Sequence, residues 1–416
     1  MPLPPILRLS FAWGVFVICL CYANIRDPLR GSALSVLLLV AVLVVVYGAV
    51  MPTLLRGGAV IDGKSFAPWL QSASICTALS GAAFSLGFAV PRPDRRPDLS
   101  VEVVRIRMPR LIAVLLLIST CLFLYVLLRY GFRLERAGVG PLSGPSAYVL
   151  YAPQYLTGVS LATLWLEESR VLRIWAAAGL LITGVYFFDA FIRYTFVVLL
   201  LSCAILCMWR LRKSLYVPRL LLVPASIALF VLLGLLGQRR SLTYQGTVGS
   251  SVVTSARSSL DIVSPLAALL SPVGRSERLN GASYAYVAEQ LVPRALWPAK
   301  PLPPILRITA PFASPSEGRA VPTWGEMYAN FGWAGVLVGM WLSGMVGALL
   351  MRGWLRRRKY DPCLDVAAAL MISLVVQWIS RGYLVQTIYN AYGFLIGPVV
   401  ILVACARRTR LAALTR

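Results

Sequence analysis

Apolar residues recur along the chain in runs of membrane-spanning length, joined by short connections rich in arginine. A helix needs about 20 such residues to cross a bilayer, and a transmembrane barrel would instead alternate apolar and polar residues in segments of about ten. The pattern predicts an all-α polytopic membrane protein, residues 1–416 forming a single integral membrane domain. About 11 transmembrane helices are expected, at residues 7–24, 32–55, 68–90, 111–129, 148–166, 174–188, 194–209, 220–237, 330–351, 364–379 and 391–406.

One long polar stretch, residues 238–330, interrupts this pattern. Its apolar part, residues 260–273, contains two prolines and is too short to span, so an interfacial or re-entrant segment is expected there. Residues 283–291 predict a short helix. Another helix is predicted to begin at Gly325 and to run into the ninth span. That continuation would bring three polar or aromatic side chains to the membrane surface: Glu326, Tyr328 and Asn330.

Composition agrees with a membrane protein, since 58% of the residues are hydrophobic and only 13% are charged. Soluble domains carry roughly 25% charged residues. The net charge of +24 would suggest nucleic acid in a soluble protein, but here it follows from the bias of basic residues toward cytoplasmic loops. No nucleic-acid partner is therefore expected, and the expected surroundings are membrane lipids.

The distribution of Lys and Arg predicts the orientation. Of the 40 basic residues, 23 lie in the connections after the odd-numbered spans, almost all of them short. The other 17 basic residues are assigned to the opposite side of the membrane, and nine of them lie in the long stretch. Long loops count little in the positive-inside rule. The 23-charge side is therefore predicted to be cytoplasmic, and residues 238–330 are predicted to form an outward-facing loop that contains short helices.

The chain has no histidine, which excludes Ser-His-Asp triads, Cys-His pairs and His-based metal sites. All eight cysteines lie in apolar runs or at their edges, so neither a disulfide framework nor a cysteine metal site is indicated. No metal and no cofactor are expected. The N-terminus has no small-residue cleavage site, so the first apolar run is predicted to be a retained span.

Two short outward connections carry ionisable residues next to spans. Asp189 and Arg193 stand between two spans with almost no linker, and such residues at membrane depth usually face a cavity or a partner. An ion pair between positions i and i+4 is the alternative. Arg381 stands at the outer end of a span, in a segment that continues to Tyr389 and Asn390. Snorkelling to the interface is the alternative explanation for this arginine.

The long loop combines many arginines with few carboxylates, and its aromatic residues stand beside rigid prolines. Arginine binds phosphate oxygens in pairs, aromatic faces suit sugar rings, and a carboxylate can accept a proton from an attacking hydroxyl. These side chains suit glycosyl transfer from a polyprenyl-pyrophosphate donor without a metal. The candidate catalytic residues are Glu326 as base, with Arg294 and Arg319.

Two sequence segments carry a family resemblance: NGASYAYVAEQLVPRALWPAKP, followed by GEMYANFGWAG. They resemble the long periplasmic loop of bacterial Wzy-type polymerases, which join O-antigen or exopolysaccharide repeat units. The resemblance covers residues 279–339, and beyond them it extends only to span number and loop placement. It implies a multi-pass inner-membrane protein that takes an undecaprenyl-pyrophosphate-linked oligosaccharide, transferring the growing chain onto a new repeat unit. A chain-length regulator protein is a further expected partner.

The resemblance also implies functional arginines in the outward loops. With neighbouring polar and aromatic side chains, the candidates for substrate binding are Arg193, Arg239, Arg240, Lys300, Trp297, Tyr328, Asn330 and Arg381. Several of these candidates, and the catalytic candidates Arg294 and Glu326, have simpler alternatives. Tandem Arg239 and Arg240 would merely end a span, and Arg294 and Lys300 would be solvated in the loop or contact lipid headgroups. Glu326 would stabilise a helix dipole, and Tyr328 and Asn330 would anchor the interface.

Two other functions stay open. Related O-antigen ligases depend on a loop histidine, and the lack of any histidine favours the polymerase over a ligase-like glycosyltransferase. A flippase or exporter of lipid-linked oligosaccharides needs a charged central cavity but has no need of a long outward loop.

Overall fold

The computed structural model describes most of the membrane-embedded chain and parts of the long loop. The described residues are 4–29, 32, 35–54, 60–61, 64–91, 108–131, 151–189, 193–216, 231, 235, 261–272, 274, 278–290, 292, 297, 299, 301, 304, 321–358, 361, 363–381 and 384–414.

Helices dominate this part of the chain. In chain order they are α1 (Pro5–Arg26), α2 (Val36–Val45), α3 (Met51–Leu54), α4 (Leu70–Ala89), α5 (Pro109–Tyr130), α6 (Ala152–Leu166), α7 (Arg170–Asp189), α8 (Arg193–Arg212), α9 (Val263–Leu270), α10 (Ala282–Gln290), α11 (Thr323–Arg357), α12 (Cys363–Arg381) and α13 (Leu384–Leu414). A π-helical turn, Val46–Val50, joins α2 to α3, and a 3₁₀ turn, Ala67–Trp69, precedes α4. Two short strands, β1 (Val60–Ile61) and β2 (Lys64–Ser65), pair antiparallel.

Local sequence explains where several helices begin. Proline occupies the first or second position of α1, α5 and α6, where its missing N–H group is not needed and its fixed φ angle suits a helix. At the start of α2, the Ser35 hydroxyl accepts a hydrogen bond from the Leu38 N–H, which satisfies one of the unpaired donors of the first turn.

Eight helices of the described chain are long and apolar enough to cross a membrane. Two predicted spans correspond to shorter helices, since α6 has 15 residues and the apolar part of α12 covers Leu364–Ile379. The eighth predicted span, residues 220–237, lies outside the described residues apart from two isolated positions. The all-helical membrane fold is therefore confirmed, whereas the count of eleven stays a prediction.

The helices pack in two groups. Helix α4 is the most buried span, and it packs against α1 and α11. In the second group, α6 packs against α5, α7 and α13, and α12 packs against α8 and α13. The long-loop helix α9 is completely buried and packs against α4, in the segment where an interfacial or re-entrant element was predicted. The predicted helix at residues 283–291 corresponds to α10.

The ninth span departs from the prediction of a continuous helix. Helix α11 is broken at Gly332, whose φ of 66° and ψ of −150° lie in a region that only glycine adopts readily. The break folds the first part, residues 323–331, against the second, so that a Cβ on Gly339 would lie 2.7 Å from the Met327 sulfur. In a straight helix these two residues would stand about 18 Å apart along the axis.

The loop segment before α10 supports this break. The Leu279 N–H donates to the Ala329 carbonyl and the Asn280 N–H to the Asn330 carbonyl, each at 3.1 Å. Those carbonyls lose their partners in the next helical turn because the helix stops. Arg278 donates to the Tyr328 carbonyl, and its guanidinium lies 4.5 Å above the Tyr328 ring. The long loop is therefore attached to the start of the ninth span.

At the C-terminal end of α11, far from the break at Gly332, arginine side chains contact backbone carbonyls and a carboxyl group. The Arg26 guanidinium donates to the Ala89 carbonyl at 2.9 Å, and Arg352 donates to the Arg26 carbonyl at 3.4 Å. In the same region of α11 and α12, Arg358 forms a buried ion pair with Asp365 at 3.0 Å. Arginines from connections that are distant in sequence thus lie on one side of the molecule.

Candidate functional site

Glu326 is the centre of the candidate site. It stands in the first turn of α11, and its side chain is 2% exposed. The Ser283 hydroxyl, on α10, donates to Glu326 Oε1 at 2.8 Å. The backbone N–H of Leu384, the first residue of α13, donates to Oε2 at 3.0 Å. Three elements from separate parts of the sequence therefore converge on one carboxyl group.

The contact with the Leu384 N–H has a local reason. The N–H groups of a first helical turn have no partner inside the helix, and a carboxylate at that end also suits the helix dipole. Glu326 therefore caps α13, a helix other than its own. The two hydrogen bonds leave acceptor capacity on the carboxylate, because its two oxygens offer about four lone-pair positions.

Asn330 supports the arrangement one turn along α11. Its Nδ2 donates to the Ser283 hydroxyl at 2.7 Å and to the Glu326 carbonyl at 2.8 Å. Ser283 can therefore direct its only hydroxyl proton toward the carboxylate, because its oxygen already accepts from the amide. The amide thus fixes the direction of the Ser283–Glu326 hydrogen bond.

A cavity of about 450 Å³ opens beside the carboxyl group. Glu326 and Tyr284 lie at its polar end, and most of the remaining wall is apolar. The wall is completed by Thr323, Met327, Phe331, Ala334, Gly335, Val338, Gly339, Leu342, Ser343, Trp378 and Leu384. The break at Gly332 creates this shape, because it folds the two parts of α11 into facing walls.

The apolar wall continues onto the outer surface of the helix bundle. Phe331 is 52% exposed and Val338 is 56% exposed. Both side chains also line the cavity, so its apolar wall reaches the outer surface of the helix bundle. Glu326 stands at the opposite end, where polar groups are available.

Tyr284 adds a neutral hydroxyl at the polar end. Burial raises the pKa of its phenol, and the nearby charge of Glu326 raises that pKa further. The phenol therefore stays protonated and can donate a hydrogen bond. Its ring lies nearly parallel to that of Phe331, with the ring centroids 6.1 Å apart.

The remaining predicted site residues fall into three groups. Tyr328 and Asn330 are buried, 2% and 0% exposed, and neither is part of the cavity wall. Trp297 is 37% exposed. Arg193 begins α8 and Arg381 ends α12, but their side chains lie outside the described part of the structure. Five further candidates lie entirely outside the described residues: Arg239, Arg240, Arg294, Lys300 and Arg319.

Ser283, Tyr284 and the Leu384 N–H were missed as individual site groups by sequence reasoning. Ser283 and Tyr284 stood only within a predicted short helix, and Ser283 is 43 positions from Glu326. The Leu384 N–H could not be singled out, because every residue except proline has a backbone N–H group. The only available signal was the segment itself, because SYAY lies within the first of the two segments that carry the family resemblance.

The fold and the site define a multi-pass membrane protein with a buried carboxyl group beside a largely apolar cavity. Residues 316–410 match the family model described as O-antigen polysaccharide polymerase Wzy. Residues 316–410 are thus similar to the Wzy family, and the resemblance noted from the sequence is confirmed where the two ranges overlap, at residues 316–339.

The match includes α11, α12 and α13 as far as residue 410, and with them Glu326 and Leu384, whereas Ser283 and Tyr284 lie before it. The family supports an O-antigen polymerase function and a location in the bacterial inner membrane. Neither a curated protein nor a solved structure matches the chain.

Proposed function

We propose that the protein joins undecaprenyl-pyrophosphate-linked oligosaccharide repeat units into a surface polysaccharide, an O-antigen or an exopolysaccharide. The transfer takes place on the periplasmic face and needs no metal. The observation that carries this proposal is the buried Glu326 carboxyl group at the polar end of a cavity whose other walls are apolar.

Glu326 is the general base in this proposal. It accepts the proton of the acceptor hydroxyl while that oxygen bonds to the anomeric carbon of the donor sugar. The bond between that carbon and the pyrophosphate oxygen breaks, and the pyrophosphate leaves with the electron pair. Ser283, Asn330 and the Leu384 N–H hold the carboxylate in one orientation, so little reorganisation is needed during proton transfer.

The lipid carrier supplies the charge that the arginines neutralise. Arg294 and Arg319 bind the departing pyrophosphate through paired N–H groups. Arg193, Arg239, Arg240, Lys300 and Arg381 add positive charge along the substrate path, and Trp297 offers a ring for sugar contact. Val338 lines the cavity and is also exposed on the outer surface, and this apolar wall supports entry of the lipid from the bilayer.

Tyr328 and Asn330 act indirectly in this scheme. Asn330 orients Ser283, and Tyr328 holds Arg278 through its ring and its carbonyl. Both therefore maintain the position of Glu326 and do not contact the sugar. This differs from the direct substrate binding that the sequence suggested for them.

The test replaces Glu326 by Gln in a deletion strain that is complemented with the variant. Gln keeps the size of the side chain and an acceptor for the Leu384 N–H, but it cannot take a proton. A general base contributes about 10²- to 10⁴-fold, so polymer synthesis should fall by that factor while single repeat units remain displayed. The measurement is the surface-glycan ladder, with the amount of variant checked by immunoblot.

The matched control is Glu168→Gln, because Glu168 is an exposed carboxyl group in the connection between α6 and α7. It should leave the ladder unchanged. A normal ladder from Glu326→Gln would reduce Glu326 to a helix cap, and the base would then have to be sought at Glu289 or Asp189. Complete loss of surface glycan, single units included, would instead indicate a flippase.

A further inference from the structure

Helices α6 and α13 run parallel and cross at very close range. A Cβ on Gly158 would lie 2.0 Å from the Phe394 carbonyl oxygen, and one on Gly397 would lie 2.3 Å from Val159 Cγ2. Paired contacts advance in the same direction along both helices, so their N-terminal ends lie on the same side. That side also holds Glu326, because Leu384 begins α13.

Four tyrosines pair across these two helices on the N-terminal side of the crossing. The Tyr151 and Tyr389 rings are stacked, with centroids 5.5 Å apart and planes 9° from parallel. Tyr155 and Tyr392 meet edge to face at 5.8 Å. Tyr392 is 45% exposed, so this aromatic group reaches the surface of the molecule.

Two buried amides adjoin these tyrosines in sequence, Gln154 next to Tyr155 in α6 and Asn390 next to Tyr389 in α13. Gln154 is 5% exposed and Asn390 is 4% exposed. Among the described residues, Gln154 Oε1 and Asn390 Nδ2 have no hydrogen-bond partner. Buried polar side-chain atoms are normally paired, so each exception requires an explanation.

Gln154 lies at the contact between the two helices, and Asn390 stands one helical turn before Gly393 at that contact. Residues 389, 390 and 393 share one face of α13, because positions three and four apart are neighbours. A Cβ on Gly393 would lie 2.9 Å from Gln154 Cβ and 3.4 Å from Tyr151 Cβ. The tyrosine–amide cluster, as we name it, therefore consists of Tyr151, Gln154, Tyr155, Tyr389, Asn390 and Tyr392.

We propose that the tyrosine–amide cluster is a binding subsite for a pyranose sugar of the oligosaccharide. Aromatic rings contact the apolar CH face of a sugar, and the two amides offer a donor and an acceptor for its hydroxyls. A few well-placed polar groups among aromatic side chains are typical of small-ligand sites. This inference rests on the proposed function, because it assigns part of the same substrate.

The distance to Glu326 fits a bound oligosaccharide. Leu384 contacts the carboxylate, and Asn390 follows six residues later, which is about 9 Å along the helix. A membrane-interface belt of tyrosines is the competing explanation. It accounts for Tyr392 but not for two buried amides with unpaired atoms.

The experiment uses full-length protein in lipid nanodiscs. The probe is the reducing oligosaccharide released by mild acid from the lipid-linked repeat unit of the host strain. Its binding is measured by calorimetry for Asn390→Leu and Gln154→Met, which remove the amide groups and keep a similar side-chain shape. Each change should weaken binding at least tenfold, while thermal stability stays equal or rises because an unpaired buried amide has been removed.

The matched control is Gln377→Met. Gln377 is also a buried amide, 3% exposed, and its Oε1 has no hydrogen-bond partner among the described residues, but it lies on α12 outside the cluster. It should bind the probe as the native protein does. Native binding by both cluster variants, or equal loss in the control, would overturn the subsite. If either buried variant folds poorly, Tyr392→Ala is measured in its place. The subsite then requires that Tyr392→Ala weakens binding of the probe.

The outcome separates this inference from the proposed function. The probe carries no lipid and no pyrophosphate, so Glu326→Gln should still bind it. A normal ladder from Glu326→Gln together with weakened binding in the cluster variants would remove the catalytic assignment and keep the subsite. Loss of the ladder together with native binding in the cluster variants would remove the subsite alone.

Discussion

A carboxyl group as buried as that of Glu326 is costly unless it is hydrogen-bonded. Ser283 and the Leu384 N–H supply those bonds, and both come from elements outside α11. Packing alone would be served as well by an apolar side chain of similar volume. Retaining a carboxyl group beside a cavity therefore favours a chemical role over a structural one.

At the same scale, the arginine proposal predicts that guanidinium geometry matters and not merely charge. Arg294→Lys and Arg319→Lys keep the charge but lose the paired donors. Each charge-assisted hydrogen bond contributes about 1.5–3 kcal/mol, so turnover should fall about ten- to a hundredfold. The lysine variants should fail nearly as badly as the alanine variants. The measurement is the rate of polymer formation in membranes with matched protein levels.

Arg257→Ala is the control for that series, because Arg257 belongs to the same loop and has no proposed role. It should polymerise normally. If the lysine variants also behave normally while the alanine variants are mildly impaired, the two arginines only contribute general positive charge near the membrane surface.

Sequence reasoning reached Glu326 but not its neighbours. A carboxyl residue between an aromatic-rich loop and a span is visible in the sequence. The Ser283 partner is not, because the contact depends on how a distant helix docks. Burial of Tyr328 and Asn330 was also missed, since their positions next to a span predicted the membrane surface, and the covering segment at residues 278–280 gave no local signal.

At the scale of elements, the broken helix α11 determines the shape of the site. The segment FGWAG was predicted to belong to a continuous helix that begins at Gly325 and runs into the ninth span. The positive φ of Gly332 became visible only in the structure. Backbone donors from Leu279 and Asn280 then take the carbonyls that the break leaves free.

Gly332→Ala should therefore weaken both the fold and the activity. A backbone in this region costs a residue with a Cβ about 1–3 kcal/mol, and any straightening of the helix would withdraw Glu326 from Ser283. We expect a lower midpoint of thermal unfolding in mild detergent and a reduced glycan ladder. Gly353→Ala is the control, since it lies in the same helix and an added Cβ there meets nothing within 4 Å.

The Gly353 variant should be neutral or slightly more stable, because alanine favours a helix by roughly 1 kcal/mol over glycine. Equal midpoints for the two variants would mean that the break at Gly332 imposes no strain. The shape of α11 would then depend on the loop contacts alone.

At the scale of the whole molecule, charge and contacts group the same ends of the helices. Arg26, Ala89 and Arg352 meet at one end, and all three lie in or next to connections that the basic residues assigned to the cytoplasm. Glu326, Ser283 and Leu384 meet elsewhere, in or next to segments that were assigned outward. The number of spans was harder to predict, because short helices such as α6 belong to the bundle although they have fewer residues than a membrane span needs.

The orientation itself is open to a direct test. Ser100→Cys and Ala285→Cys are introduced separately into a cysteine-free background and treated with a membrane-impermeant thiol reagent on spheroplasts, whose inner membrane is exposed. Position 285 is exposed on α10, so it should react from outside, whereas position 100 should react only after permeabilisation. This follows because 23 basic residues in mostly short connections outweigh the nine in the long loop. Labelling of position 100 alone from outside would reverse the orientation, and the periplasmic reaction proposed for Glu326 would be wrong with it.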